Sequence, residues 1–332
     1  MTPIHWRRRN NGCGVPMRGL SSTATSFSAP SFAPRREAVT SPMQGGRVVL
    51  LGCPTADAAF VGIPMTKSNL ALFPQLSLRV EAPTELTPSW PVVADQGGGL
   101  CLGAALRLFE TGKACPNDGH LLEAREPELG WYRLISRAPL SVECGVGENV
   151  PRAIDTAVRL CALLCVWTRG GLLLHAAALA RDGRAFLCLA PSGGGKSTLT
   201  TLADGFESLS DETVAIVPSE DGADFTCWAT PFRSASPRPP QPIVAALDAL
   251  LVLDKSPLPR VTPLNGMVAL QAILQQAYTA PPLVGDPPSL LRRAARIAAV
   301  VPAHRFQFPK SEAARALLDD IAAGRVAPQT LT

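Results

Sequence analysis

No apolar run in this sequence reaches the ~18–20 residues a helix needs to cross a bilayer, so a membrane partner of that kind is not expected. The nine cysteines include no C-x-x-C pair, and no further metal-ligand types cluster near them. Cys161 and Cys165, four apart in an apolar stretch, therefore read as buried thiols of a reducing cytoplasm. Charge is also scarce. Charged residues make up 17 % of the chain and the formal net charge is +4. Several of the arginines lie in the first 46 residues, which leaves the body near neutral and gives no bulk charge for nucleic acid. No internal repeat is apparent. Hydrophobic residues, at 46 % of 332, are enough for two domains or one large one, and the composition is that of a soluble globular protein.

Three segments differ in texture. Residues 1–46 carry Arg7-Arg8-Arg9, Arg35-Arg36, much Ser and Pro, and one acidic residue, Glu37. That composition cannot support a packed core and predicts disorder. It has the look of an organellar transit segment, or of an over-extended gene start, since Met43 precedes the first strand-like run at 48–51. Residues 47–145 form a β-rich N-terminal region, with short apolar runs at 48–51, 76–80, 100–108 and 131–135. Residues 150–327 read as an α/β nucleotide-binding domain.

The second domain opens on a helix at 151–167, with Pro151 in its first turn and Ile154, Val158, Cys161 and Cys165 along one core face. Two apolar runs, 172–180 and 184–190, flank Arg181-Asp182-Gly183, which is a hairpin signal. Beyond them the sequence predicts a helix from 197 to about 203 and a strand at 213–217. Further on it predicts a strand at 249–253, a helix at 267–278, a strand at 305–308 and a helix at 311–323. Pro-rich stretches at 231–242, 256–263 and 281–288 read as loops.

The hairpin feeds directly into Ala190-Pro191-Ser192-Gly193-Gly194-Gly195-Lys196-Ser197, a P-loop pattern with Ala in place of the first Gly. Glycines let backbone N–H groups close around phosphate. Ser192, Gly193, Gly194, Gly195, Lys196, Ser197 and Thr198 are the candidate phosphate-binding residues. Lys196 would reach the β- and γ-phosphates, and Ser197 would ligate Mg²⁺ at the start of a helix whose positive end faces the anion. The expected cofactors are ATP and Mg²⁺. Asp211 and Glu212 lie 15 and 16 positions after Lys196, just before the 213–217 strand. A parallel βαβ return would bring them to the phosphates, where one carboxylate can hold Mg²⁺ and the other accept a proton from an attacking hydroxyl. Ser197, Asp211 and Glu212 are the candidate metal ligands. His175, in an apolar strand, would sit beside the strand that ends in the loop.

Taken together, His175 before a hairpin, the loop 191–197 and the Asp211-Glu212 pair resemble the kinase domain of the HPr kinase/phosphorylase family. Thr230-Pro231-Phe232 and the Val301–Phe306 stretch are similar to that family's Thr-Pro-aromatic turn and late Val-Pro strand. Glu212 stands where the family has a second Asp, and the family's HPr-binding C-terminal signature is not visible. The resemblance implies a phosphoenolpyruvate-carboxykinase-like P-loop kinase domain behind a β-rich N-terminal domain. It implies phosphoryl transfer from ATP to a serine of a peptide or protein, with modified-peptide biosynthesis as one setting. Under it the catalytic residues are Asp211 as general base, His175 orienting it, and Lys196 on the phosphates, in a cytoplasmic enzyme that tends to form homo-oligomers. Arg233, after the turn, reads first as a surface arginine and second as a contact for phosphate or a peptide carboxylate. Two other readings stay open: a small-molecule kinase, and a non-catalytic ATP-binding maturation protein.

Overall fold

The computed structural model describes residues 6–8, 65–73, 76–83, 101–109, 120–126, 128–232, 243–280 and 283–325. The expected strand at 48–51 and Arg233 lie outside them. The described residues form a mixed α/β structure with a β-rich N-terminal part.

In that part the strands are β1 (Trp6–Arg8), β2 (Met65–Phe73), β3 (Leu76–Pro83), β4 (Cys101–Phe109), β5 (Leu122–Glu126), β6 (Gly130–Arg137) and β7 (Leu140–Val146). They make one sheet in the order β1-β5-β6-β7-β4-β3-β2. β3, β4 and β7 run parallel to one another, and the other pairings are antiparallel. Trp6–Arg8, inside the stretch expected to be unstructured, pairs with β5 at the sheet edge.

The second sheet holds β8 (Leu172–Leu174), β9 (Ala176–Arg181), β10 (Arg184–Leu189), β11 (Glu207–Ser210), β12 (Val214–Pro218), β13 (Phe225–Trp228), β14 (Val244–Lys255), β15 (Arg260–Pro263) and β16 (Ala303–Phe308). Its order is β11-β9-β10-β14-β13-β12-β8, with β16 also on β14 and β15 outside β16. The long β14 makes this branching possible. Its first residues pair with β13 and its last six run parallel to β16, while β10 lies along its other side. β15 occupies part of the 256–263 stretch expected to be a loop, because its residues pair antiparallel with β16.

The strands beside the loop 190–197 are apolar without alternation, since both faces of the sheet are covered. Ala185, Leu187 and Leu189 face one cluster with residues of α3 (Gly266–Gln276) and α4 (Pro287–Val300). Phe186, Cys188 and Ala190 face another with α2 (Lys196–Leu202) and α5 (Ala313–Ala322). α4 begins inside the expected 281–288 loop. Asp286 caps it by accepting from the Ser289 N–H at 3.0 Å, and Pro287 and Pro288 fill its first turn.

α1 (Val150–Thr168) is the layer between the two sheets. Asn149 caps it and Pro151 opens it. The four residues expected on one core face are buried, and so are Ala153, Ala157, Leu160, Ala162, Leu163, Leu164 and Val166. The helix touches β4 and β7 on one side and β8 and β12 on the other, so it is covered nearly all round. Burial pushes the Cys161 thiol well above its usual range and Cys165 up to about 11, which makes both inert packing residues. Among the described residues, no helix is long and apolar enough to cross a membrane.

Candidate nucleotide site

The β9–β10 hairpin turns at Asp182 and Gly183, with φ of 53° and 75°, the left-handed pair that matches the twist of a two-residue hairpin. The second strand of the hairpin, β10, ends at Leu189 between β9 and β14. The loop that follows therefore leaves the C-terminal end of an interior strand, where open α/β sheets bind ligands. Gly193 and Gly195 have φ of 74° and 101°, conformations that few side chains allow. Gly194 is needed for a different reason. A Cβ there would lie 2.6 Å from the Ala190 methyl, inside contact distance. The departure from the motif at Ala190 is accommodated by the glycine four positions later.

Lys196 is 7 % exposed. Its Nζ donates to the carbonyls of Ala190 at 2.8 Å and Pro191 at 3.3 Å, and lies 3.0 Å from His175 Nε2. His175 occupies the break between β8 and β9. Its backbone N–H donates to Gln276 O at 2.7 Å, and the next rung joins the Tyr278 N–H to Leu173 O at 2.9 Å. The end of α3 thereby pins the histidine against the loop. The other ring nitrogen, Nδ1, faces the Tyr278 hydroxyl at 3.4 Å.

β11 runs antiparallel to β9 and places the acidic turn beside the loop. The expected βαβ return is thus modified, since β9 lies between β10 and β11. Asp211 is 3 % exposed, and Ser197 Oγ donates to its Oδ2 at 3.5 Å. Ser210 sets the turn: its Oγ accepts from the N–H groups of Glu212 and Thr213 at 3.1 and 3.0 Å and donates to Phe232 O at 2.8 Å. Glu212 turns toward α1, where Arg159 holds it at 3.2 Å. Burial first, with the carboxylates of Asp155 and Asp211, holds the Glu212 pKa above its ordinary value despite Arg159. Arg159 also pairs with Asp155 at 2.7 Å, donates to Thr213 Oγ1 at 2.8 Å and stacks 4.3 Å over the Phe232 ring. Thr230 adds a bond to Thr213 O at 2.5 Å, which secures the Thr230-Pro231-Phe232 turn to the same strand.

The structure thus brings His175 onto Lys196 and Asp211 onto the next residue, Ser197, and ties Glu212 to Arg159. Ser192 and Gly193 lie exposed on the loop, and Thr198 follows Ser197 on α2. Sequence reasoning missed Arg159, Ser210, Thr213 and Tyr278. Arg159 left a signal, as a cation within the otherwise apolar stretch 157–166.

Burial, and then the ammonium of Lys196, hold the His175 pKa below its ordinary 6.5. The unfolded chain therefore binds more protons than the folded one in the window below 6.5, and His175 costs stability as pH falls through it. Urea midpoints measured from pH 7.5 to 5.0 should fall further for the wild type than for His175→Gln. His304, whose pKa burial also lowers, is common to both proteins and cancels in the difference. Parallel pH profiles would remove the His175–Lys196 contact as a determinant.

The comparisons correct the family resemblance. The motifs that suggested HPr kinase/phosphorylase are short, and no model of that family matches. No curated protein matches this chain. What the chain is similar to, over residues 153–281, is the family described as SynChlorMet cassette protein ScmC, and that span runs from α1 past Tyr278 to include Arg159, His175, the whole loop and the acidic turn.

Proposed function

We propose that this chain binds Mg²⁺·ATP at the loop 190–198 and transfers the γ-phosphoryl group to an acceptor hydroxyl, with a serine of a peptide or protein as the first candidate acceptor. The observation that carries the reading is the alignment of Lys196, Ser197 and Asp211 at the end of β10. Loop N–H groups and Lys196 would cradle the phosphates. Mg²⁺ takes one or two carboxylates plus phosphate oxygens and water, so Ser197 and Asp211 would fit it without a second carboxylate. Its charge would neutralise the β- and γ-oxygens. Asp211 would take the proton of the acceptor hydroxyl as that oxygen bonds to the γ-phosphorus and the bond to the β-phosphate oxygen breaks, releasing ADP. His175, neutral at pH 7, would keep Lys196 directed at the loop. A hairpin before the loop and a parallel β14 beside β10 support a phosphoenolpyruvate-carboxykinase-like arrangement for the domain.

One observation favours a second reading, ATP as a structural ligand: Glu212 is committed to Arg159, which leaves a single carboxylate facing Ser197.

Thermal or urea unfolding with Mg²⁺·ATP tests the binding step. A hundredfold excess over the dissociation constant should add about 2.7 kcal/mol to the wild type. Lys196→Ala should show no such gain. No gain in either folded protein would remove the nucleotide site and the chemistry built on it.

A further inference from the structure

On the side of the loop away from the acidic turn lies a cleft of about 510 Å³, lined by Gly195, Thr198, Lys255, Ser256, Pro257, Phe308, Pro309 and Lys310. Sheet topology explains its position. Lys255 and Phe308 are register partners at the C-terminal ends of the parallel strands β14 and β16, next to the end of β10. The Ser256 N–H donates to Phe308 O at 3.2 Å and closes the cleft floor. Contact with the loop is direct. A Cβ on Gly195 would lie 2.9 Å from the Phe308 ring and 3.9 Å from Lys255 Cε.

The chemistry of the walls is mixed in a specific way. Pro257, Pro309 and Phe308 are apolar, Thr198 and Ser256 offer hydroxyls, and two ammonium groups stand at the rim. Among the described residues neither Lys255 nor Lys310 has an ion-pair partner. Apolar walls with a few convergent polar groups, in a volume of this order, suit a small molecule.

We infer that this cleft holds the nucleoside half of the bound triphosphate, an inference that rests on the P-loop reading above. Asp211 and Ser197 lie on the β11 side of the loop, so the reacting γ-phosphate belongs there. From there the ligand can extend past Thr198 toward the ends of β14 and β16, where the cleft lies. The α-phosphate and ribose hydroxyls meet Lys255, Lys310, Thr198 and Ser256. The base lies against Pro257 and Pro309.

Photolabelling with 8-azidoadenosine triphosphate and Mg²⁺, followed by peptide mapping, reads the location. Calorimetry with Mg²⁺·ATP and Mg²⁺·tripolyphosphate reads the nucleoside increment. The expected label falls on the peptides containing 255–257 or 308–310 and is suppressed by excess ATP. ATP should bind at least tenfold more tightly than tripolyphosphate. Ser256→Trp, which fills the ribose end of the cleft, should reduce that advantage to less than twofold. Equal affinities in the wild type, or an ATP-suppressed label elsewhere, would overturn the cleft assignment while tripolyphosphate binding lost in Lys196→Ala kept the P-loop. Binding of neither ligand would overturn both. The photolabel is read on the wild type, so the location stands or falls even if Ser256→Trp does not fold.

Discussion

Replacing Asp211 by Asn should lower ATP turnover by roughly 10²–10⁴-fold, the range in which a positioned general base contributes. Asn keeps the size of the side chain, and its carbonyl oxygen can still accept from Ser197 Oγ, now 3.5 Å from Asp211 Oδ2. The site's shape should therefore survive while its ability to take a proton does not. The assay is ADP formation with water as acceptor, which needs no knowledge of the physiological one. The loss should appear in kcat, with a smaller change in KM from the weakened hold on Mg²⁺. Turnover within threefold of wild type would rule out Asp211 as the base. Catalysis absent from both proteins, with ATP still bound, would select the structural-ligand reading.

Truncating Arg159 should produce the largest loss of stability at the site. Its guanidinium is 11 % exposed and joins Asp155, Glu212 and Thr213 beneath the acidic turn. Removing one partner of a buried pair leaves the other charge uncompensated, and that costs about 3–5 kcal/mol. The Glu212 and Asp155 side chains are 23 % and 38 % exposed, so Arg159→Ala belongs below that range, at about 2 kcal/mol. Urea unfolding of Arg159→Ala, Glu212→Gln and the double variant would isolate the pair. The double variant should lose less than the two singles combined, because a neutral amide at position 212 has no charge in need of a partner. Strict additivity would show that Arg159 acts through Asp155, Thr213 and its packing on Phe232 and not through Glu212.

The local signals in the sequence were enough for the elements that hold the loop 190–197. Asp182-Gly183 marked the hairpin, the glycines marked the loop, and Pro151 marked the start of α1. What the sequence concealed was non-local. Nothing near position 207 says that β11 pairs with β9, or that β14 is long enough to serve two neighbours. The helical spacing of Ile154, Val158, Cys161 and Cys165 marks one face of α1; only a second sheet explains why the opposite side is apolar too. Pro-rich text hid β15 and the start of α4, since proline is tolerated at a strand end and in a first helical turn. Arg159, Thr213 and Tyr278 come from three separate stretches and meet only in the folded chain. The HPr kinase resemblance failed for a related reason. A few short motifs in the right order describe a loop and an acidic turn, which is less than a family.

Ala190 and Gly194 have a consequence for how this loop can change over time. With a methyl at 190 and 2.6 Å between the two would-be carbons, the positions are not independent variables. Substitution at 194 is closed while Ala190 stands. If 190 reverts to glycine first, the remaining neighbours of a side chain at 194 are the Pro191 carbonyl at 3.0 Å and Pro191 Cδ at 3.3 Å, tight contacts that a small shift relieves. The two single steps are the same, but only one order passes through an intermediate with a 2.6 Å contact that the loop must shift to relieve. The loop therefore has a permitted mutational path in one direction and a barrier in the other, and a pattern that scores the two sites separately cannot see it.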